Sequence, residues 1–136
     1  MRSVEIRAGR RSGVPVVTAS GVLTVAACIH VLKEISAEVE KGPPACAVIL
    51  DLRGCISAIG TAGWIQVASY GSVRATKLPL IYVVTLEQEA DMRDLCVRMA
   101  RYGRLRLTSI SLDCALEWAS ERARLAPSEG TRPACV

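Results

Sequence analysis

The chain has 136 residues, six cysteines, no phenylalanine and a net charge of +4. That length suits one domain able to bury roughly two thirds of its unfolded surface, and Val, Ile, Leu and Ala must fill the core. No apolar run reaches membrane-spanning length, and the N-terminus lacks the long apolar stretch of a signal peptide. A cytoplasmic protein without a membrane span is the expectation.

The positive charge sits at the ends. Residues 1–11 carry +3, residues 12–120 carry none, and the remainder carries +1. This is not the aromatic-interleaved basic stripe of a nucleic-acid protein, so no nucleic-acid partner is expected. No two cysteines form Cys-x-x-Cys, and His30 is the lone imidazole. That pattern excludes an ordinary zinc site and implies no metal and no cofactor. Cys28, Cys46, Cys96 and Cys114 fall among apolar residues, where a thiol behaves as a small hydrophobe. All six are expected to be reduced.

Val4 to Arg7 reads as a short strand and Gly9 to Gly13 as a basic turn. Val14 to Leu23 is strand-like. Thr24 is placed to cap a helix reaching Lys41, with Val25, Cys28, Ile29, Leu32, Ile35 and Val39 inward and Lys33, Glu34, Glu38 and Lys41 in water. Gly42 and Pro43-Pro44 stop it. Ala45 to Leu52 is apolar in both phases, as in a parallel strand covered on both faces. A polar loop is expected after it.

A helix from Thr61 to about Arg74 buries Trp64, Ile65, Ala68 and Val73. Leu78 to Val84 is the next strand. Thr85 with Gln88 predicts a capping box for a helix to Tyr102 that ends at Gly103. Its inner face is Leu86, Met92, Leu95, Cys96 and Met99. Arg104 to Ile110 alternates as an outer strand. Ser111 caps a last helix carrying Leu112, Ala115, Leu116 and Ala119. Residues 125–136 read as a disordered tail, leaving 1–124 as the domain. The order β-β-α-β-α-β-α-β-α predicts an α/β fold: an open, mostly parallel sheet of four or five strands with about four helices and right-handed crossovers.

Working residues in such sheets lie beyond the carboxyl ends of the strands, which directs attention to Asp51 through Trp64. Asp51 is read as a structural acid receiving backbone donors from the segment after it. Ile56 and Ile59, with Ala58, offer apolar contact beside the helix start. His30 reads as a solvated side chain. Arg98, Arg101, Arg104 and Arg106 form the densest internal basic group, read as a solvated face.

Taken in order, three short motifs resemble the STAS family, the domains of anti-sigma-factor antagonists and sulfate-transporter tails. Gly21-Val22-Leu23-Thr24 matches the turn before the first helix. Asp51-Leu52-Arg53-Gly54 matches the strand end. Gly60-Thr61-Ala62-Gly63 stands where the family has Asp-Ser-Ser/Thr-Gly. The segment from Gly54 is one residue longer than usual, Gly60 replaces the motif acid and Ala62 the second serine. The resemblance implies a non-enzymatic regulator that docks a protein, a kinase or an anti-sigma-like factor, with Thr61 as the residue in the phosphorylated position. The docking set is then Ile56, Ser57, Ile59, Gly60, Thr61, Gly63 and Trp64, and a homodimer stays open. The residues alone read Thr61 more simply, as an N-cap.

A second resemblance is to a bacterial branch related to CRAL-TRIO lipid carriers. It rests on Gly21 to Thr24, Trp64 and Ala115-Leu116-Glu117-Trp118, and it implies an apolar cavity between Trp64 and the last helix. The sequence has no Walker loop, no Cys–His pair and no Ser-His-Asp set to support an enzyme.

Overall fold

A computed structural model describes residues 4–57, 59–74, 78–100 and 105–125, with only the backbone described for Thr61, residues 71–74 and Leu125. Expectations that fall on Ala58, on residues 101–104 and on the tail from 126 lie outside these. The elements are β1 (Val4–Arg11), β2 (Val14–Leu23), α1 (Val25–Lys41), β3 (Val48–Ser57), α2 (Thr61–Arg74), β4 (Leu80–Val83), α3 (Leu86–Arg98), β5 (Arg106–Ser109) and α4 (Leu112–Leu125). They form one five-stranded sheet in the order β1-β2-β3-β4-β5. β1 runs antiparallel to β2, and the other pairings are parallel. This is the predicted α/β architecture.

The helices sort to two faces because strand side chains alternate. Val17, Val48, Leu50, Leu52, Leu80, Tyr82 and Val84 face α1, α2 and α3 in the larger core. The intervening Val16, Ile49, Ile81 and Val83 meet Ala115 and Ala119 of α4 in a smaller core. The sheet therefore separates α4 from the other helices. Short residues on α4 allow close approach to the strands, and Trp118 seals its edge beneath the Arg122 guanidinium, 5.2 Å from the ring.

The helix starts follow the predicted chemistry. Thr24 Oγ1 accepts from Ala27 N at 3.1 Å. Thr85 and Gln88 make the reciprocal capping box. Ser111 Oγ accepts from Cys114 N at 3.2 Å.

Four expectations are corrected. The first is the basic turn: β1 continues to Arg11, and only Ser12-Gly13 turn the chain, both at positive φ (54° and 81°). A two-residue hairpin of this hand needs that conformation, which glycine adopts freely. The second is Glu38, buried rather than in water. The Arg10 guanidinium lies over it, Nε to Oε2 at 3.7 Å. The same guanidinium donates to the Glu38, Val39 and Pro43 carbonyls at 3.0–3.3 Å, satisfying α1's last turn in place of water. The third is Leu86, which is 76% exposed rather than inward, since it opens α3 before the helix meets the sheet. The fourth concerns the thiols. Cys28, Cys55, Cys96 and Cys114 are free, but Cys46 is disulfide-bonded.

Arg10→Met should strip these donors from α1's last turn and leave Glu38 buried beside Lys41 alone. We expect a loss of about 1–3 kcal/mol in unfolding free energy, measured by urea denaturation.

Candidate functional site

The carboxyl end of β3 is built differently from a loop. Ladder pairing with β4 stops at Asp51↔Val83. Pairing with β2 shifts register between Thr18↔Asp51 and Ser20↔Gly54, so two steps along β2 match three along β3. The additional residue is thus absorbed as a bulge, and the strand resumes to Leu23↔Ser57. The predicted polar loop is in fact a two-stranded ribbon overhanging the sheet.

β4 is absent beyond Val83, so β3's carbonyls on that side need other donors. Gln88 supplies them. Its Nε2 donates to Cys55 O at 2.9 Å and Leu52 O at 3.3 Å. Its Oε1 accepts from Thr85 N at 2.8 Å. One side chain both caps α3 and fixes the ribbon.

Asp51 stands at the bulge, 6% exposed. Its Oδ1 accepts from Arg53 N at 3.1 Å and Arg53 Nε at 3.0 Å, and its Oδ2 accepts from Arg53 Nη2 at 2.8 Å. The backbone-donor role read from the sequence is present, with a fork-shaped ion pair added. Burial pushes the Asp51 carboxyl up, but the Arg53 hydrogen bonds and charge outweigh it and hold it below its ordinary value of 3.8. Burial and the neighbouring Asp51 charge push the Cys55 thiol up to about 11. Burial and Cys55 push Cys28 to about 12. Neither cysteine is a ready nucleophile at neutral pH.

The predicted docking residues follow. Ile56 is 70% exposed and pairs across the ribbon with Val22, 42% exposed. Both project on the α4 side. Ser57 Oγ donates to Ile59 O at 3.2 Å. Gly60 O accepts the first bond of α2 from Trp64 N at 3.0 Å. Gly60 is therefore the N-cap and Thr61 the first helical residue, which corrects the capping role given to Thr61. Gly63 permits tight packing: a Cβ there would lie 3.0 Å from Ile59 Cβ and 3.2 Å from Val25 Cγ2. Ile59 is half-buried against the larger core, and Trp64 is 6% exposed within it. The set thus divides into an exposed edge (Ile56, Ser57, Gly60) and a packed base (Ile59, Gly63, Trp64). His30 is exposed, as expected.

Beside that base lies a half-open groove of about 300 Å³ between the ribbon, the head of α2 and α3. Leu23, Leu52, Ile59, Trp64, Val84, Met92 and Leu95 line it, with Ser57, Gln88, Asp91 and Asp94. The resemblance to lipid carriers implied a cavity between Trp64 and the last helix. The sheet stands between those two, so the space opens towards α3 instead. Sequence reasoning missed Gln88 as the ribbon's anchor and Asp91 as a groove residue. The capping-box spacing marked the former's place, though not its reach to β3.

Two solved structures superpose on this fold. An anti-sigma factor antagonist from Mycobacterium paratuberculosis superposes with a TM-score of 0.57 at 19% identity, covering 87% of this chain and 95% of that one. The fold is STAS-like. An uncharacterized protein of the DUF3478 family from Shewanella loihica, described as having a SpoIIAA-like fold, gives a TM-score of 0.56 at 13% identity over 88% and 95%. No family model matches the sequence. No curated protein matches it either.

Arg53→Gln should destabilise the domain by about 1–2 kcal/mol at pH 7, since water replaces part of a half-exposed guanidinium. The depressed carboxyl stabilises the fold above its unfolded value, and that contribution fades as acid protonates Asp51. The gap between variant and parent should therefore close as pH falls below about 4. Thermal melting from pH 7 to pH 3 measures it.

Proposed function

We propose that this chain is a non-enzymatic regulatory module that docks a protein partner through the ribbon edge and the head of α2. The observation that carries the reading is the exposed pair Val22 and Ile56 on the ribbon. Neighbouring apolar side chains held out on a rigid ribbon are a contact surface in waiting. The STAS-like fold, shared with an anti-sigma factor antagonist, supports a regulatory partner, either a kinase or an anti-sigma-like factor.

Thr61 is the proposed switch. As the first residue of α2 it stands where backbone N–H groups are unpaired and the helix dipole is positive. A phosphoryl group there adds a charge of roughly −2, which those donors can hold locally while an acidic partner surface is repelled. Gly60, lacking the motif carboxylate, removes a negative neighbour that would oppose the phosphate.

Ile56→Asp tests the docking edge. Ile56 is on the surface and outside both cores, so the variant should melt within about 0.5 kcal/mol of the parent. A partner captured by the parent from its host should be lost by Ile56→Asp and kept by Val97→Asp, a control on exposed α3 surface. Equal capture by all three removes the proposed edge. For Thr61, intact-mass measurement of natively purified protein should reveal a species heavier by one phosphoryl group that is absent from Thr61→Val.

A further inference from the structure

We propose that the groove between the head of α2 and α3 binds a small amine that carries an apolar chain. Its volume of about 300 Å³ is at the lower end of small-molecule sites, roughly 300–1,000 Å³. The floor is apolar, with Leu52, Trp64 and Met92 buried and Leu95 at the lip. An alkyl chain entering there leaves water, which favours its burial.

The groove's polar groups decide the head group. Gln88 is committed at both ends to Leu52 O, Cys55 O and Thr85 N, and the Ser57 hydroxyl is committed to Ile59 O. Two carboxylates remain at the mouth. Asp94 shares Arg98 at 2.9 Å, whereas Asp91 has no ion-pair partner among the described residues. An ionised carboxylate accepts hydrogen bonds and donates none. No lysine or arginine lines the groove among the described residues. On the α3 side of the mouth, Asp91 therefore favours a ligand that brings both donors and positive charge, which an ammonium head does, over a fatty acid, whose carboxylate would face Asp91. The groove shares Ser57, Ile59, Gly60 and Trp64 with the docking set, but Ile56 projects on the opposite face of the ribbon from Leu52 and Cys55 and stands clear of it.

Trp64 lines the groove, and Trp118 lies across the sheet. In a full-length Trp118→Phe chain, emission therefore reports the groove alone. Titration with n-octylamine at pH 7 should change Trp64 emission saturably. Octanoate at equal concentration should leave it unchanged, and 1-octanol should bind more weakly than the amine. Asp91→Asn should weaken the amine by about threefold, the scale of an exposed ion pair, without altering 1-octanol. Leu95→Tyr should abolish saturation by filling the lip without adding a second tryptophan; if it fails to fold, the surface substitution Asp91→Asn still decides the matter. Binding of octanoate as tight as that of octylamine, an amine affinity indifferent to Asp91→Asn, or no saturable change with octylamine would each overturn the proposal. Ile56→Asp should leave amine binding intact, so failure of the docking edge and failure of the groove are separable results.

Discussion

The arrangement depends on β3 having to be two things at once. From Val48 to Asp51 it is buried on both faces between helix layers, where every backbone group must find a protein partner. From Gly54 to Ser57 it is a ribbon paired only with β2. The change happens within three residues, and polar contacts manage it: the bulge against β2, Arg53 clasping Asp51, and Gln88 serving the carbonyls that β4 leaves behind. Gln88 satisfies carbonyls that the end of β4 would otherwise strand, and Arg53 satisfies the buried Asp51 carboxylate. Together they hold Ile56 out and make the wall of the groove.

This coupling gives the site its rigidity. The ribbon, α2 and α3 do not meet by helix packing alone. Gln88 ties α3 to the ribbon, and the absent Cβ of Gly63 lets α2 press on both Ile59 and Val25 of α1. A ligand beside Trp64 and a protein on Ile56 would touch opposite faces of one short ribbon. Both would share the same fixed backbone.

Much of this was legible in the sequence. The caps Thr24, Thr85 and Ser111 act locally, within three residues, so their spacing announced three helices. Ala45 to Leu52 was apolar in both phases because both faces are covered. Three features were not legible because each depends on residues far apart in the chain. Glu38 looks solvated on its own helix and is buried only because Arg10 arrives from the hairpin, 28 positions earlier. The ribbon carries polar and glycine residues that read as a loop, and β2 alone makes it a strand. The groove was sought on the wrong side because sequence order does not say which face α4 covers; the small residues Ala115 and Ala119 packed on Ile49 and Ile81 decide it.

The hairpin that sends Arg10 across α1 also leaves β1 as one of the sheet's two edge strands. A bare border of amide and carbonyl groups invites another sheet to zip onto it. Here Glu5, Arg7 and Arg11 are exposed along it, and a second copy laid alongside would bring cation against cation. The arginines of this strand thus work as a fence against lateral growth of the sheet, strongest at the hairpin end, far from the ribbon.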